Sequence, residues 1–149
     1  MSYTYKHPRP SLTVDAVVFR HRNKDGFEIL LIQRDRPPFE GNWALPGGFV
    51  DMDETLEMAV NRELEEETNL KAIELKQLHS FSALDRDPRG RTVSVVFWGM
   101  LNDNQQAKAG DDARETKWFP INQLPKLAFD HDEVVEMAIQ KLKSTIFPN

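Results

Sequence analysis

The sequence predicts an α/β fold in which a mixed β-sheet lies between helices. The first observation is the order of the elements, because β-prone runs, a helix, further β-prone runs and a second helix follow one another. The second is that both helical stretches carry helix-start signals, whereas clusters of polar turn residues separate the strands. Hydrophobic residues make up 40% and charged residues 29% of the 149 residues, which is typical of a globular chain. We expect a single domain over residues 1–149.

The first two strands are predicted to form a hairpin. Residues 12–20 are rich in valine, residues 29–34 begin with four aliphatic side chains, and a polar turn at residues 23–26 separates the two runs. Two prolines and a glycine then predict an exposed loop. Residues 43–45 are a short extended piece, and Pro46-Gly47-Gly48 predicts a tight turn.

Residues 51–69 carry the strongest helix signal. Asp51 and Glu54 have the spacing of a capping box, and good helix formers fill the positions that follow. Asn69 marks the expected end, because asparagine tolerates the left-handed conformation found just beyond a helix.

A second antiparallel pair is predicted from residues 71–82 and 92–101, joined through a polar connector at residues 85–90. Residues 102–112 are loop-like, and residues 116–119 predict a short strand. The last helix is predicted over residues 130–142, with Asp130 and Glu133 spaced as a capping box. Its core-facing positions are Val134, Val135, Ala138, Ile139 and Leu142.

The first helix carries acidic side chains on its apolar face. At about 100° per residue, the face is set by Leu56, and Glu63 and Glu67 fall at about 340° and about 20° from it. Glu66 falls at about 280°, at the edge of the arc. An acidic run is usually a solvated helix face, but these positions would normally bury apolar side chains.

Such a cluster needs positive charge, because partly buried carboxylates repel one another and lose hydration. The chain contains no Cys, so a metal would be held by oxygen or imidazole ligands. Carboxylates suit Mg²⁺ or Mn²⁺, and Mg²⁺ often completes its shell with substrate phosphates. The sequence therefore predicts a metal-dependent enzyme acting on a phosphate ester or anhydride.

A motif surrounds these carboxylates. Gly48 is followed after five residues by Glu54, and after seven more by Arg62-Glu63-Leu64-Glu65-Glu66-Glu67-Thr68-Asn69-Leu70. This pattern resembles the Nudix box, and only Asn69 departs from it, since the family has Gly there. The resemblance implies a Nudix-type α/β/α sandwich and a divalent-metal enzyme that cleaves the diphosphate of a nucleoside diphosphate derivative.

The resemblance also implies roles for individual residues. Glu63, Glu66 and Glu67 would bind metal, together with the carbonyl of Gly47. Arg62 would hold the helix carboxylates in place, and Glu54 would have a supporting role. The general base stays open between a box glutamate and one of three acids on a later loop, and so does the number of metal ions. Those three acids are Asp111, Asp112 and Glu115.

Two further segments, residues 84–91 and 127–133, resemble the ADP-ribose pyrophosphatase branch of the family and its sensor relatives. The expected reaction is hydrolysis of ADP-ribose to AMP and ribose 5-phosphate. Arginines on loops or strand ends are candidates to clamp phosphate, and three aromatic side chains to stack on a base. His131 is expected to be a surface or packing residue rather than a catalytic one. The arginines are Arg34, Arg36, Arg89 and Arg91, and the aromatic residues are Phe39, Trp43 and Phe49.

Two alternatives stay open at this point. One is hydrolysis of a nucleoside triphosphate to the monophosphate, as in housecleaning members of the family. The other is a non-catalytic ADP-ribose sensor, although such domains usually carry a DNA-binding extension and a degraded box, whereas this chain keeps all the acids.

Charge and hydropathy limit the kinds of binding partner and the cellular location that we expect. A net charge of −5 offers no electrostatic footprint for a nucleic-acid polymer, so a small nucleotide is the expected partner. No run is long and apolar enough for a signal peptide or a membrane span, which favours a cytoplasmic protein. A homodimer is a possible assembly, since dimers are common among the ADP-ribose hydrolysing relatives.

Overall fold

The computed structural model describes residues 2–24, 26–110 and 113–148. Two helices and a set of strands alternate along the chain in the predicted order. The strands are β1 (Ser11–His21), β2 (Phe27–Arg34), β3 (Trp43–Ala44), β4 (Gly47–Phe49), β5 (Lys76–Phe81), β6 (Thr92–Met100) and β7 (Ala113–Pro120), and the helices are α1 (Leu56–Thr68) and α2 (His131–Ile146). Within the described ranges, no helix is long and apolar enough to cross a membrane.

The strands form one mixed sheet with β1 near its centre. Residues 11–19 of β1 run parallel to residues 92–100 of β6, and β5 is antiparallel to β6 on its far side. On the other side, β2 is antiparallel to β1 and β7 is antiparallel to β2. Both predicted hairpins are therefore confirmed, and the parallel β1–β6 pair joins them into one sheet.

Strands β1 and β2 separate along their length. They pair only at Phe19–His21 of β1 with Phe27–Ile29 of β2. Farther along, β4 pairs with residues 13–15 of β1, while β3 pairs with residues 32 and 33 of β2. Because two short strands replace the direct pairing, the sheet opens between β1 and β2, and this opening is where the functional site lies.

Neighbouring residues of each strand face opposite helices, as the two-residue period of a strand requires. Val14, Leu30 and Phe97 pack with α1 on one face, and Val17, Ile29 and Trp98 pack with α2 on the other. The predicted α/β/α sandwich is thus confirmed. The buried helix side chains are Ala59, Val60 and Leu64 in α1, and Val134, Val135, Ala138 and Leu142 in α2, with Ile139 partly buried beside them.

Helix α1 begins later than the capping-box spacing suggests. The backbone N–H of Asp51 donates to Glu54 at 2.8 Å, but these residues form a turn before the helix. Thr55 is the true N-cap, and its hydroxyl accepts from the N–H of Met58 at 3.1 Å. At the other end, Asn69 has φ 64° and ψ 11°, so the predicted left-handed ending is confirmed.

Helix α2 has the predicted start but a different cap. Asp130 precedes its first residue, yet the Asp130 carboxylate makes no capping bond and instead accepts two hydrogen bonds from Arg86. The capping-box prediction there is wrong because a partner distant in sequence takes the carboxylate. The helix also continues four residues beyond the predicted end, to Ile146.

Three other boundaries differ from the sequence prediction. Gly47 and Gly48 lie in strand β4, paired with Asp15 and Val14, rather than in a tight turn. Strand β5 begins at Lys76 instead of residue 71, because Ala72 has φ 55° and interrupts the extended conformation. Strand β7 is longer than residues 116–119, since it pairs along nearly all of β2.

Candidate functional site

The carboxylates of α1 occupy the positions that the helical spacing predicts. Glu67 is only 6% exposed, and the Glu63 side chain is 14% exposed. The Glu66 side chain, at the edge of the apolar arc, is 54% exposed. Two acids therefore point toward the opening in the sheet, and a third stands at its rim.

Strand β4 lies against these carboxylates. The backbone N–H of Gly47 donates to Oε1 of Glu67 at 2.8 Å. A Cβ atom at Gly48 would lie 2.5 Å from Oε1 of Glu63, and one at Gly47 would overlap the backbone carbonyl of Val14 and the Asp15 carboxylate. A side chain at Gly47 is therefore excluded by the backbone of β1, whereas one at Gly48 would displace the Glu63 carboxylate.

Arg62 compensates the negative charge. Its guanidinium donates to both carboxylate oxygens of Glu54, at 2.9 and 2.5 Å. Nη1 also donates to Glu63 at 2.8 Å and to Glu66 at 3.2 Å. A planar group with five donors can serve three carboxylates at once, whereas a lysine ammonium cannot match this geometry.

The electrostatics of these groups follow from their contacts. Hydrogen bonds from Arg62 and from the Asp51 backbone lower the pKa of Glu54 to about 2. Burial raises the pKa of Glu63, although the bond from Arg62 acts in the opposite direction. Hydrogen bonds to Glu54 are the main reason that the pKa of Arg62 is raised. Glu54 is thus a permanent anion that fixes the arginine, while Glu63 needs further positive charge.

The donor set fits a divalent cation. Glu63 and Glu67 are close enough for a hydrogen bond between their carboxyl groups, and two ionised carboxylates in contact require a proton or a cation between them. Among the described residues, no three His, Asp or Glu side chains already converge on one point. Glu66 instead accepts from Arg62, and its half-exposed side chain lies at the rim of the opening. We call Gly47, Arg62, Glu63, Glu66 and Glu67 the carboxylate site.

A second group of residues adjoins this site on the α2 side of the opening. Arg34 and Arg89 both place their guanidinium groups near the ring of Phe129, at 5.0 and 5.4 Å from its centre. Burial and the neighbouring Arg89 lower the pKa of Arg34. Two like charges beside one ring favour an anion between them. This arrangement suits a phosphate group.

Two ion pairs involve the connector that carries Arg89. Asp87 accepts from Nε and Nη2 of Arg89 at 3.1 and 2.8 Å, and from the Arg89 backbone N–H at 2.9 Å. Burial of Asp87 opposes its ionisation, but these bonds outweigh it and lower the pKa of the carboxyl. Arg86 reaches Asp130 at the start of α2 at 2.7 and 3.0 Å. The Arg86–Asp130 pair therefore joins the connector to the start of α2, while Asp87 orients Arg89 within the connector.

The floor between these groups is polar and buried. Oδ2 of Asp15 accepts from the Ser94 hydroxyl at 2.5 Å. Nδ1 of His131 accepts from the Leu45 N–H at 3.1 Å, so the proton of the neutral ring is on Nε2, which lies 3.7 Å from Oδ1 of Asp15. Burial lowers the pKa of His131, which keeps this ring neutral. We call Asp15, Arg34, Asp87, Arg89, Phe129 and His131 the arginine pocket.

The structure brings some of the predicted substrate residues together and leaves others apart. Arg34, Phe49 and Arg89 line the cleft that joins the two sites, and Arg36 lies at its edge, paired with Asp35. Arg91 instead donates to the carbonyl groups of Ser82 and Ala83, away from the cleft.

Two of the aromatic residues predicted to stack on a nucleobase pack against other aromatic rings, and the loop acid Glu115, proposed as a general base, lies outside the cleft. Trp43 packs against Phe119, and Phe39 packs against Phe129. Glu115 is an exposed residue of β7 and does not line the cleft. Asp111 and Asp112 lie outside the described residues.

Sequence reasoning missed Asp15 and Asp87 and did not assign His131 to the pocket. Asp15 carries a signal that could have been used, because it is a charged residue inside an otherwise apolar strand. Asp87 has no such local signal, since it lies in a polar connector. His131 is a packed, buried histidine, as expected, but it is also part of the pocket floor.

Comparison with known proteins agrees with the geometry. The family model described as NUDIX domain matches residues 9–138. The ADP-ribose pyrophosphatase of Methanocaldococcus jannaschii is 47% identical over 133 residues, which cover 89% of this chain and 73% of that protein. The ADPR responsive transcriptional repressor NtrR of Acinetobacter baylyi is 34% identical, and the match covers 93% of this chain but 56% of the repressor.

A solved structure gives the same result. The NUDIX domain of Shewanella oneidensis NrtR, crystallised with ADP ribose, is 36% identical to this chain and superposes with a TM-score of 0.86 over 94% of each chain. Members of the family generally use divalent metal ions, in agreement with the donor set described above. By the match over most of its length and by its fold, the chain belongs to the Nudix family.

Proposed function

We propose that this chain is a Mg²⁺-dependent hydrolase that cleaves the diphosphate of ADP-ribose to give AMP and ribose 5-phosphate. The observation that carries the proposal is the contact between the carboxylate site and the arginine pocket. An acidic metal site and a pair of arginines lie in one cleft and share Gly47, Gly48, Phe49 and Glu67 as lining residues. The 47% identity to the archaeal ADP-ribose pyrophosphatase supports this choice of substrate.

The carboxylate site would hold the metal through Glu63, Glu66, Glu67 and the carbonyl of Gly47. A divalent ion supplies charge neutralisation for the diphosphate and acidifies a water molecule, and Mn²⁺ can replace Mg²⁺ in such oxygen sites. Arg62 orients Glu63 and Glu66 through its two hydrogen bonds. A carboxylate of the cleft would take the proton of the attacking water. Among the described residues, the candidates for this role are the box glutamates.

The arginine pocket and the adjoining Phe49 would contact the parts of the substrate that flank the metal. Arg34 and Arg89 bind phosphate oxygens, since guanidinium groups match them with paired bonds. Phe49 is 47% exposed beside Arg89 and is available to stack on a nucleobase. Arg36 lies at the edge of the cleft, where its guanidinium pairs with Asp35. The partner is therefore a small nucleotide.

The experiment measures AMP release with Mg²⁺ from ADP-ribose, nucleoside triphosphates and dinucleoside polyphosphates. Wild type should favour ADP-ribose, and Glu67→Gln should reduce its turnover about 100-fold or more, because the change removes the charge of a metal ligand. Glu65→Gln is the matched control. This residue is on the same helix, half exposed, and pairs only with Lys71 at the surface, so turnover should be retained.

Preference for a nucleoside triphosphate would overturn the substrate assignment and favour the housecleaning reaction. Equal losses in Glu67→Gln and Glu65→Gln would overturn the assigned role of Glu67.

A sensor function is the second candidate, because the NUDIX domain of Shewanella oneidensis NrtR binds ADP ribose and matches this chain over 94% of its length. The same panel separates the two functions. Tight ADP-ribose binding with no turnover of any substrate would favour the sensor, whereas AMP release that requires Glu67 favours the enzyme.

A further inference from the structure

The floor of the arginine pocket offers a specific pair of polar atoms to a ligand. Oδ1 of Asp15 is an acceptor and Nε2 of His131 is a donor, and the 3.7 Å between them is longer than a hydrogen bond. Both side chains line the pocket, yet Asp15 is only 7% and His131 only 4% exposed. A hydroxyl group is suited to this pair, since it can donate to the carboxylate and accept from the imidazole at the same time.

The rest of the pocket adds a phosphate-binding rim to this floor. Arg34 and Arg89 stand at the rim on either side of Phe129, while Asp87 holds Arg89 in place. The pocket therefore combines a carboxylate that can accept from hydroxyl groups with guanidinium groups that can donate to phosphate oxygens. A sugar phosphate presents both chemistries within one small ligand.

A purine fits this pocket less well. Its ring nitrogens are mostly acceptors, which a buried carboxylate repels, and adenine brings one amino group as donor. The ring of Phe129 already has Arg34 and Arg89 beside it, so it is poorly available for stacking on a base. Phe49, by contrast, is exposed on the other side of Arg89.

We infer that the arginine pocket is the subsite for the pentose phosphate half of the substrate, with Asp15 and His131 binding a sugar hydroxyl and Arg34 and Arg89 binding its phosphate. This inference rests on the proposed function for the identity of the substrate. Asp15 and His131 then contribute to selectivity for the sugar. The adenosine half binds on the side of the cleft that carries Phe49.

The test is the binding of ribose 5-phosphate and of AMP, each as a competitor of ADP-ribose and each by calorimetry in the presence of Mg²⁺. In Asp15→Asn, the affinity for ribose 5-phosphate should fall about tenfold, because a hydrogen bond to a charged carboxylate is replaced by a weaker bond to a neutral amide. The affinity for AMP should stay within about twofold of wild type. Glu136→Gln, an exposed change on α2, is the control and should leave both affinities unchanged.

Two further measurements keep the inference testable if Asp15→Asn does not fold. His131→Asn keeps an acceptor for the Leu45 N–H but lacks the Nε2 donor. It should therefore lower the affinity for ribose 5-phosphate and leave the affinity for AMP unchanged. With the wild-type protein, removing one hydroxyl from ribose 5-phosphate should weaken binding about tenfold for at least one of its positions.

A loss of AMP affinity in Asp15→Asn, or equal binding of every deoxy analogue, would overturn the inference. The outcome is separable from that of the proposed function. Ribose 5-phosphate binding that depends on Asp15 in a protein without turnover would contradict only the hydrolase. Turnover of ADP-ribose that is unaffected by Asp15→Asn would contradict only the subsite.

Discussion

The carboxylate site and the arginine pocket adjoin each other but are built in different ways. The carboxylate site comes from residues 47–67, that is, from α1 and the short strand before it. The arginine pocket draws on β1, the end of β2, the connector after β5 and the start of α2. A site within one helix keeps its spacing wherever the helix packs, whereas the pocket exists only when four distant segments meet. The first is therefore visible as a motif, and the second is not.

The largest expected effect concerns the arginine that organises the carboxylate site. Arg62→Ala should reduce turnover of ADP-ribose about 100-fold and raise the Mg²⁺ concentration needed for half-maximal activity, because Glu54, Glu63 and Glu66 lose their shared cation. Arg62→Lys should restore only part of the activity, since an ammonium cannot make the paired bonds. Kinetics across a Mg²⁺ titration measure both. A folded Arg62→Ala protein with normal turnover would show that the site does not depend on this ion-pair network.

The next largest effect is expected at Arg89, for which Arg91, just after the connector, serves as a comparison. Arg89→Lys should raise the KM for ADP-ribose about tenfold with a smaller change in kcat, because lysine cannot keep the two bonds to Asp87 or stack on Phe129. Arg91→Lys should change the KM less, since its guanidinium donates to main-chain carbonyl groups away from the cleft. Steady-state kinetics on both variants test whether Arg91, which the sequence also offers as a phosphate-binding residue, contributes to substrate binding.

A smaller effect is expected in the pH dependence of the free energy of unfolding, to which His131 in the pocket floor contributes. Burial holds the pKa of His131 below its unfolded value of about 6.5, although the carboxylates of Asp15 and Asp130 act in the opposite direction. As the pH falls below the unfolded pKa, the unfolded chain takes up the proton first, so the folded state loses up to about 1.4 kcal/mol per pH unit until the folded pKa is reached.

His131→Asn lacks this titration and should have a flatter dependence of the free energy of unfolding on pH. Urea unfolding of both proteins at about pH 7.5 and about pH 5.5 provides the measurement. Parallel slopes for the two proteins would mean that His131 takes up its proton in the folded state as readily as in the unfolded chain.

The smallest effect concerns the one position that departs from the family box. Asn69→Gly should change the free energy of unfolding by less than about 1 kcal/mol, because relief of the left-handed conformation offsets loss of the 2.8 Å bond from Nδ2 to the Lys108 carbonyl. Asn69→Ala should cost more, since it has neither advantage. Thermal unfolding compares the three proteins, and a large gain in activity with Gly would show that Asn69 distorts the helix end.

Part of this protein could be predicted from local patterns. The hairpins, the two helices and the α/β/α sandwich follow from hydrophobic periodicity, which depends on the repeat of each element and not on its partners. The positions of Glu63 and Glu67 on the apolar face of α1 follow from the same repeat, and the motif around them indicates the family. The predicted start of α1 and the predicted cap of α2 are wrong, because Asp51 belongs to a turn before α1 and the Asp130 carboxylate binds Arg86.

The tertiary structure alone decided how the cleft is assembled. Nothing in the local sequence shows that β1 and β2 separate, that Arg89 reaches Phe129 while Arg91 does not, or that Asp15 meets His131 across 116 positions of the chain. These outcomes depend on strand pairing and on contacts between distant segments, such as the Arg86–Asp130 ion pair. The sequence by itself therefore determined the carboxylate site, because a helix fixes the spacing of its own side chains, and only the packed sheet determined the pocket beside it.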